Sequence, residues 1–196
     1  MKKLESESVR EKKKHRSNVI MSLFIAGILI LSTAGFAILS GDQNDPGDIS
    51  YNSYTFARTQ NGWKTNVDQY QINTYYLPQE VENITDKLYV PFSYFQNEAV
   101  YILATSQEER QAAGQLWNNL QYIALRIQLA CSEENAEDEF CVSNNFPIIG
   151  CDEDKTVIWL KDSDEEVSYS NKCLKIHSGE LLKTTENIIF QMFNII

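Results

Sequence analysis

The chain of 196 residues has little histidine, proline or glycine: two His (His15 and His177), four Pro and eight Gly. It contains no G-x-x-x-x-G-K-[ST] loop, no G-x-G-x-x-G turn and no G-x-S-x-G elbow. The motifs of nucleotide-binding proteins and of α/β-hydrolases are therefore absent from the sequence. Hydrophobic residues make up 43%, close to the soluble globular norm, which excludes wholesale disorder, collagen and multi-span membrane proteins.

Basic residues are also in the minority. The sequence has 17 Lys and Arg against 27 Asp and Glu, a formal net charge of −10. A nucleic-acid-binding protein needs a basic face to displace counterions from phosphate. The composition therefore argues against nucleic acid as a partner.

The charge is divided unevenly along the chain. Residues 1–17 carry seven basic and three acidic side chains, whereas residues 41–196 carry ten basic and 24 acidic ones. Between them, residues 19–39 contain no charge, and about 20 apolar residues are enough for a helix to cross a bilayer. The sequence therefore predicts a single-pass protein in the cell membrane, anchored through residues 19–39. By the positive-inside rule, the basic tail lies in the cytoplasm and the acidic part lies outside.

The predicted boundaries are a basic tail over 1–17, a transmembrane helix over 18–40 and a turn-rich linker over 41–50. A cleaved signal peptide is the alternative, since Gly35-Phe36-Ala37 offers a passable cleavage site. The uncharged run is longer than the roughly 7–15 apolar residues of such peptides, which favours a retained signal-anchor.

Residues 51–196 are predicted to form one extracytoplasmic α+β domain of two layers. The expected order is a β-hairpin around Asn61-Gly62, then β-α-β-β-β-α, in a mixed or antiparallel sheet with helices on one face. The helix of the β-α unit is expected from Ser106, where a capping box with Glu109 begins, to Ala130. A short strand is expected over 146–150, and the last helix is expected after Ser178.

Four cysteines lie in the external part, and their even number favours disulfides. Three connectivities are possible; we prefer Cys131–Cys141 with Cys151–Cys173. A zinc or redox site is less favoured, because neither a C-x₂₋₄-C pair nor a C-x-x-C motif occurs.

The sequence assigns no catalytic, cofactor-binding or metal-ligating residue. His177 is the only external histidine, and it lies where the last strand is expected to lead into the final helix. Capping of that helix by Ser178-Gly179 explains these residues more simply than catalysis does. Three acidic runs, at 133–139, 152–154 and 162–166, suggest calcium as a third hypothesis, although none has a ligand spacing that requires an ion. Asn83-Ile84-Thr85 is a possible glycosylation site at Asn83.

Two segments, RTQNGWKTNVDQYQINTYYLPQEVENI and AVYILATSQEE, together with the late cysteines, carry a resemblance. The chain resembles small, uncharacterised archaeal single-pass, membrane-anchored proteins with a cysteine-containing extracytoplasmic domain. The resemblance covers most of 51–196 and implies a cell-surface setting, with no functional residue to carry over.

Taken together, the sequence favours a binding or structural component of the cell envelope, with possible envelope protein partners. The alternative is an extracytoplasmic enzyme, such as a hydrolase that uses carboxylates or His177. A calcium-dependent adhesion module is the third hypothesis.

Overall fold

A computed structural model of the chain describes residues 47–85, 88–151, 154–164 and 166–196, together with Met21, Ile25 and Ile28. Two units are distinguished, Met1–Asn44 and Asp45–Ile196. The three described residues of the first unit are helical and exposed. The tail and the predicted transmembrane helix otherwise lie outside the described residues. Within the part that is described, no helix has both the length and the apolar character needed to cross a membrane.

The second unit is α+β, as the sequence predicts, and its described residues form nine strands and four α-helices. The strands are β1 (Ile49–Tyr51), β2 (Tyr54–Thr59), β3 (Gly62–Val67), β4 (Tyr70–Thr74), β5 (Ala99–Leu103), β6 (Arg126–Ala130), β7 (Thr156–Lys161), β8 (Glu166–Ser170) and β9 (Cys173–His177). The helices are α1 (Pro78–Val81), α2 (Gln107–Leu120), α3 (Glu139–Asn144) and α4 (Leu181–Met192).

The first sheet is an antiparallel meander with strand order β1-β2-β3-β4. Its strands alternate between the core and solvent; in β3, Trp63, Thr65 and Val67 are buried and the residues between them are exposed. This period of two is the pattern of a half-buried strand. The hairpin predicted at Asn61-Gly62 is present, but Thr59 pairs with Gly62. The turn is therefore Gln60-Asn61, and Gly62 is the first residue of β3.

The second sheet is mixed, with strand order β6-β5-β7-β9-β8. β5 pairs in parallel with β6 and β7, β7 pairs in parallel with β9, and β8 pairs antiparallel with β9. One face of these strands is apolar and buried, and includes Ile102, Ile158 and Ile176. Burial by helices accounts for the β-branched, apolar character of the parallel strands.

The prediction of one long helix over 106–130 was wrong at its C-terminal end. The capping box at Ser106 and Glu109 is formed, but α2 ends at Leu120. The residues expected to continue its apolar stripe turn over 121–125 and then form β6, in which Ile127 pairs with Val100 of β5. The periodicity of a short apolar run does not distinguish a helix from a strand. Residues 126–130 form a strand because they pair with the edge of β5.

Residues 146–150, predicted as a strand, form only an isolated bridge between Ile148 and Cys131. The acidic segment before them contains the short helix α3, which the sequence analysis did not predict. Asp138 begins this helix, because its carboxylate accepts a hydrogen bond from the Phe140 N–H at 2.8 Å. An Asp at this position satisfies an N–H that a helix leaves unpaired.

The domain has three layers rather than the predicted two. The helices α2 and α4 pack on each other; α4 packs on β9 of the mixed sheet, and α2 contacts β4 of the meander. Phe190 of α4 also meets Phe56 of β2 edge to face, with ring centroids 6.0 Å apart. The helices therefore lie between two sheets, because each sheet has an apolar face to bury.

Polar side chains of the helices bind the backbone of the first sheet. The carboxylate of Glu186, 0% exposed, accepts hydrogen bonds from Tyr75 N at 2.7 Å, Tyr76 N at 2.8 Å and Gln115 Nε2 at 2.5 Å. Burial raises the pKa of Glu186, and the three donors oppose that shift. Both oxygens of this buried side chain therefore face N–H groups.

We expect Gly62→Ala to destabilise the domain by about 1–3 kcal/mol. Gly62 has φ +145°, and a Cβ atom there would collide with the Thr74 carbonyl oxygen. Thermal and denaturant unfolding measure the effect. Gly114→Ala is the matched control: a Cβ there meets nothing within 4 Å, and Ala in a helix is favoured over Gly by about 1 kcal/mol. Equal effects of the two substitutions would contradict this reading of the hairpin.

We expect Glu186→Gln to lower the free energy of unfolding by about 1–3 kcal/mol, because the new NH₂ group would face a backbone or Gln115 donor without an acceptor. Denaturant unfolding measures the change. Glu180→Gln is the control, since Glu180 is exposed and pairs only with Lys183 in the described part of the chain. A Glu186 variant as stable as the control would show that the three hydrogen bonds contribute little.

Candidate functional site

A disulfide-bonded segment crosses the outer face of the mixed sheet, opposite α2. We call residues 131–151 the disulfide strap. The structure joins Cys131 to Cys141, with Cα atoms 6.2 Å apart, and Cys151 to Cys173, with Cα atoms 5.3 Å apart. This is the pairing preferred from the sequence. The strap connects the carboxyl end of β6 to the amino end of β7. The Cys131–Cys141 bond closes a loop within the strap, and the Cys151–Cys173 bond ties its C-terminal end to β9.

His177 is the last residue of β9, at the edge where the four parallel strands end. The side chain is buried, with the whole residue 8% exposed, and within the described residues its Nε2 atom has no hydrogen-bond partner. Nδ1 lies 3.8 Å from Glu166 Oε2, which is beyond hydrogen-bond reach. The ring of Trp159 approaches His177 edge to face, with centroids 5.3 Å apart.

Two ion pairs lie beside His177. Lys161 Nζ is 2.9 Å from Glu134 Oε2, and Lys175 Nζ is 3.3 Å from Glu166 Oε1. The hydrogen bonds from these lysines lower the pKa of each carboxyl group. Burial lowers the pKa of His177; the charge of Glu166 opposes this, and the two lysines reinforce it. A pKa below the ordinary value of 6.5 favours the neutral imidazole at pH 7.

Among the described residues, no nucleophile is aligned with His177. Its neighbour Ser178 accepts hydrogen bonds at Oγ from Glu180 N at 3.1 Å and from Thr184 Oγ1 at 2.9 Å. Ser178 therefore bonds to the start of α4, but the N-cap position is occupied by Glu180, whose side chain makes no capping hydrogen bond, rather than by Ser178 or Gly179. In the part of the chain that the structure describes, no hydroxyl or thiol is hydrogen-bonded to His177.

The acidic runs do not assemble a metal site among the described residues. Over 47–85, 88–151, 154–164 and 166–196, no group of three or more His, Cys, Asp and Glu side chains is placed to hold an ion. In the first run, Glu134 pairs with Lys161 and Asp138 caps α3. Residues 152, 153 and 165 of the other two runs lie outside the described part.

Asn83 is exposed in the turn after α1, where a glycan would have access. The threonine of its triplet, Thr85, is engaged: its Oγ1 donates to Asn187 Oδ1 of α4 at 2.6 Å. Glycosylation of Asn83 remains a prediction.

A second candidate site lies where α2 meets the edge of the first sheet. An open cavity of about 400 Å³ lies between the turn after β3, the edge of β4 and the C-terminal end of α2. Its lining consists of amide side chains and two tyrosines, with no charged residue: Gln69, Tyr70, Gln71, Asn73, Asn118, Gln121 and Tyr122. We call this cavity the amide groove. Its volume lies within the range of small-molecule sites, about 300–1,000 Å³.

Backbone groups of β4 contribute to the amide groove. Asn73 N donates to Asn119 Oδ1 at 2.8 Å, and Asn119 Nδ2 donates to Asn73 O at 2.9 Å. The side-chain amide of Asn119 thus pairs with β4 as a neighbouring strand would. Along an edge strand, every second residue directs its backbone N–H and C=O away from the neighbouring strand. Gln71, two residues before Asn73, therefore directs its backbone groups to the same free edge. Its side chain also lines the groove.

The sequence does not predict the amide groove. The groove joins residues 69–73 to residues 118–122, which are distant in the sequence. These segments meet only because α2 packs along the edge of β4. A concentration of Asn, Gln and Tyr in both segments is the one signal in the sequence.

Comparison of the chain with protein-family models, with curated proteins and with solved structures found no match.

We expect His177 to titrate below its ordinary pKa of 6.5. The folded-state pKa is lowered, so the stabilisation from a neutral His177 is present above pH 6.5 and is lost as the pH falls from there through the folded-state pKa. NMR titration of the imidazole resonance that His177→Gln removes would give the midpoint. Between pH 7.5 and 5, unfolding free energy should fall more in the wild type than in this variant. A midpoint at or above 6.5 would contradict the buried, neutral imidazole.

Proposed function

We propose that the protein is a single-pass component of the cell envelope that binds another envelope component through its external domain. The observation that carries this proposal is the amide groove, an open cavity lined by groups that form hydrogen bonds. Its lining consists of amides and phenols and contains no carboxyl, imidazole or amine group. Such a lining favours recognition over acid–base chemistry.

Two features support an extracytoplasmic setting. The disulfides Cys131–Cys141 and Cys151–Cys173 are typical of proteins in oxidising compartments. The uncharged run at residues 19–39, preceded by the basic tail, has the length of a membrane anchor. In this proposal residues 1–17 face the cytoplasm and the domain is held outside, as the resemblance to archaeal single-pass proteins also implies.

The proposal is tested with the full chain, because the anchor is part of it. In cells, the protein should remain in the membrane after extraction at alkaline pH, and external protease should remove the domain from intact cells. The purified chain, in a detergent without a sugar headgroup, should co-sediment with envelopes isolated from cells that lack the protein. Alkaline extraction of the chain, or failure to co-sediment, would contradict the proposal.

A hydrolase that uses His177 is the second candidate. The observation that favours it is the buried Nε2 atom, which has no hydrogen-bond partner in the described part of the chain. A buried polar atom without a partner is uncommon enough to require an explanation. Envelope hydrolysis that is lost in His177→Gln, with the fold retained, would support this candidate. Envelope binding that is unchanged in His177→Gln would support the binding proposal instead.

A further inference from the structure

The lining of the amide groove indicates a neutral ligand. None of its seven residues carries a charge, so an ionised ligand would lose water there without gaining a counter-charge. The excess of acidic residues over basic ones in residues 41–196 also disfavours a polyanion. The ligand is therefore expected to be polar and uncharged.

The hydrogen-bonding groups of the groove suit hydroxyl groups. A primary amide both donates and accepts, and so does a hydroxyl. Gln71 adds a backbone N–H and C=O at the edge of β4. The side chain of Asn118 makes no hydrogen bond to the described residues, and the Gln71 amide donates only to Asn73 Oδ1, at 3.0 Å. Donors and acceptors thus remain available on both walls of the groove.

Tyr122 gives the groove an aromatic wall. Its side chain forms no hydrogen bond within the described part of the chain, and it is 77% exposed, which is unusual for a large aromatic residue. A tyrosine ring offers a rigid apolar face together with a polar hydroxyl. That combination suits a ligand with C–H groups on its faces and hydroxyls at its rim.

An extended peptide fits the groove less well. Addition of a strand to a sheet edge requires several consecutive outward-facing backbone groups. On β4, the outward groups of Asn73 are already bound by Asn119 and Gln115, and the next N–H groups, of Tyr75 and Tyr76, are bound by Glu186. Gln71 and Asn73 are the outward-facing residues of β4, so among the described residues Gln71 is left for a ligand.

We propose that the amide groove binds a neutral carbohydrate chain of the cell envelope. This inference rests on the proposed envelope-binding function and names its ligand class. Sugar hydroxyls would pair with Gln71, Asn118 and Gln121, while one face of a sugar ring would lie on Tyr122. The expected affinity is modest, because the groove is open and each hydrogen bond to the ligand replaces a hydrogen bond to water.

The test uses co-sedimentation of the full chain with three preparations of isolated envelopes: untreated, periodate-oxidised and protease-digested. Periodate cleaves the vicinal diols of sugars. We expect oxidation to lower binding at least fivefold and protease digestion to leave it unchanged. A detergent with a maltoside or glucoside headgroup should compete, whereas an amine-oxide detergent should not.

Two groove variants and a matched control link the binding to the groove. Tyr122→Ala should weaken binding about tenfold, as expected for an aromatic anchor, and Asn118→Ala should weaken it severalfold. Tyr89→Ala is the control, since Tyr89 is 78% exposed and lies outside the groove. Unchanged melting temperatures would show that all three variants fold.

The outcomes separate this inference from the function on which it rests. Binding that survives periodate, or is lost after protease digestion, would keep the envelope function and overturn the carbohydrate ligand. Periodate-sensitive binding that Tyr122→Ala and Tyr89→Ala affect equally would overturn the groove as the site. Absence of binding to all three preparations would overturn both proposals.

Discussion

The edge strand β4 and the turn after it present backbone groups to the interior of the domain, and these groups must be satisfied because water is excluded there. The helices supply the partners: Glu186 of α4 receives the N–H groups of Tyr75 and Tyr76, and Asn119 of α2 pairs with both backbone groups of Asn73. Gln115 links the two sets by donating to Glu186 and to Asn73 O. This polar network links the meander to both helices.

The same network creates the amide groove. Asn119 binds the backbone of β4 at Asn73, near the last turn of α2. The next outward-facing residue of β4, Gln71, lies beyond this turn and is exposed to solvent. Tyr122 and Gln121 follow directly where the helix ends, so they form the second wall. The packing of the meander and the position of the amide groove thus both depend on where α2 ends.

The outer face of the mixed sheet is organised by different physics. The connection from β5 to β6 contains α2, which lies on one face of the sheet. The connection from β6 to β7 must cross β5, and it does so on the opposite face. The disulfide strap is this second connection and packs on that face. Ile149 of the strap belongs to an apolar cluster on this face and Cys151 packs against it. Covalent closure limits the freedom of the segment in the unfolded chain. His177 lies on this face, buried beside Trp159 and between two ion pairs.

The sequence by itself determined the local features, the hairpin before Gly62 and the capping box at Ser106, because each depends on neighbouring residues. It also predicted the α+β class, and it favoured the observed cysteine pairing among three possible ones without fixing it. It also predicts the membrane anchor from one uncharged run. The tertiary structure decided the rest. It ended α2 at Leu120, because residues 126–130 gain more by pairing with β5 than by extending a helix, and it made three layers, because each sheet has an apolar face to bury. The burial of His177 and the meeting of Gln71 with Tyr122 depend on contacts between residues distant in the chain, which no local pattern encodes.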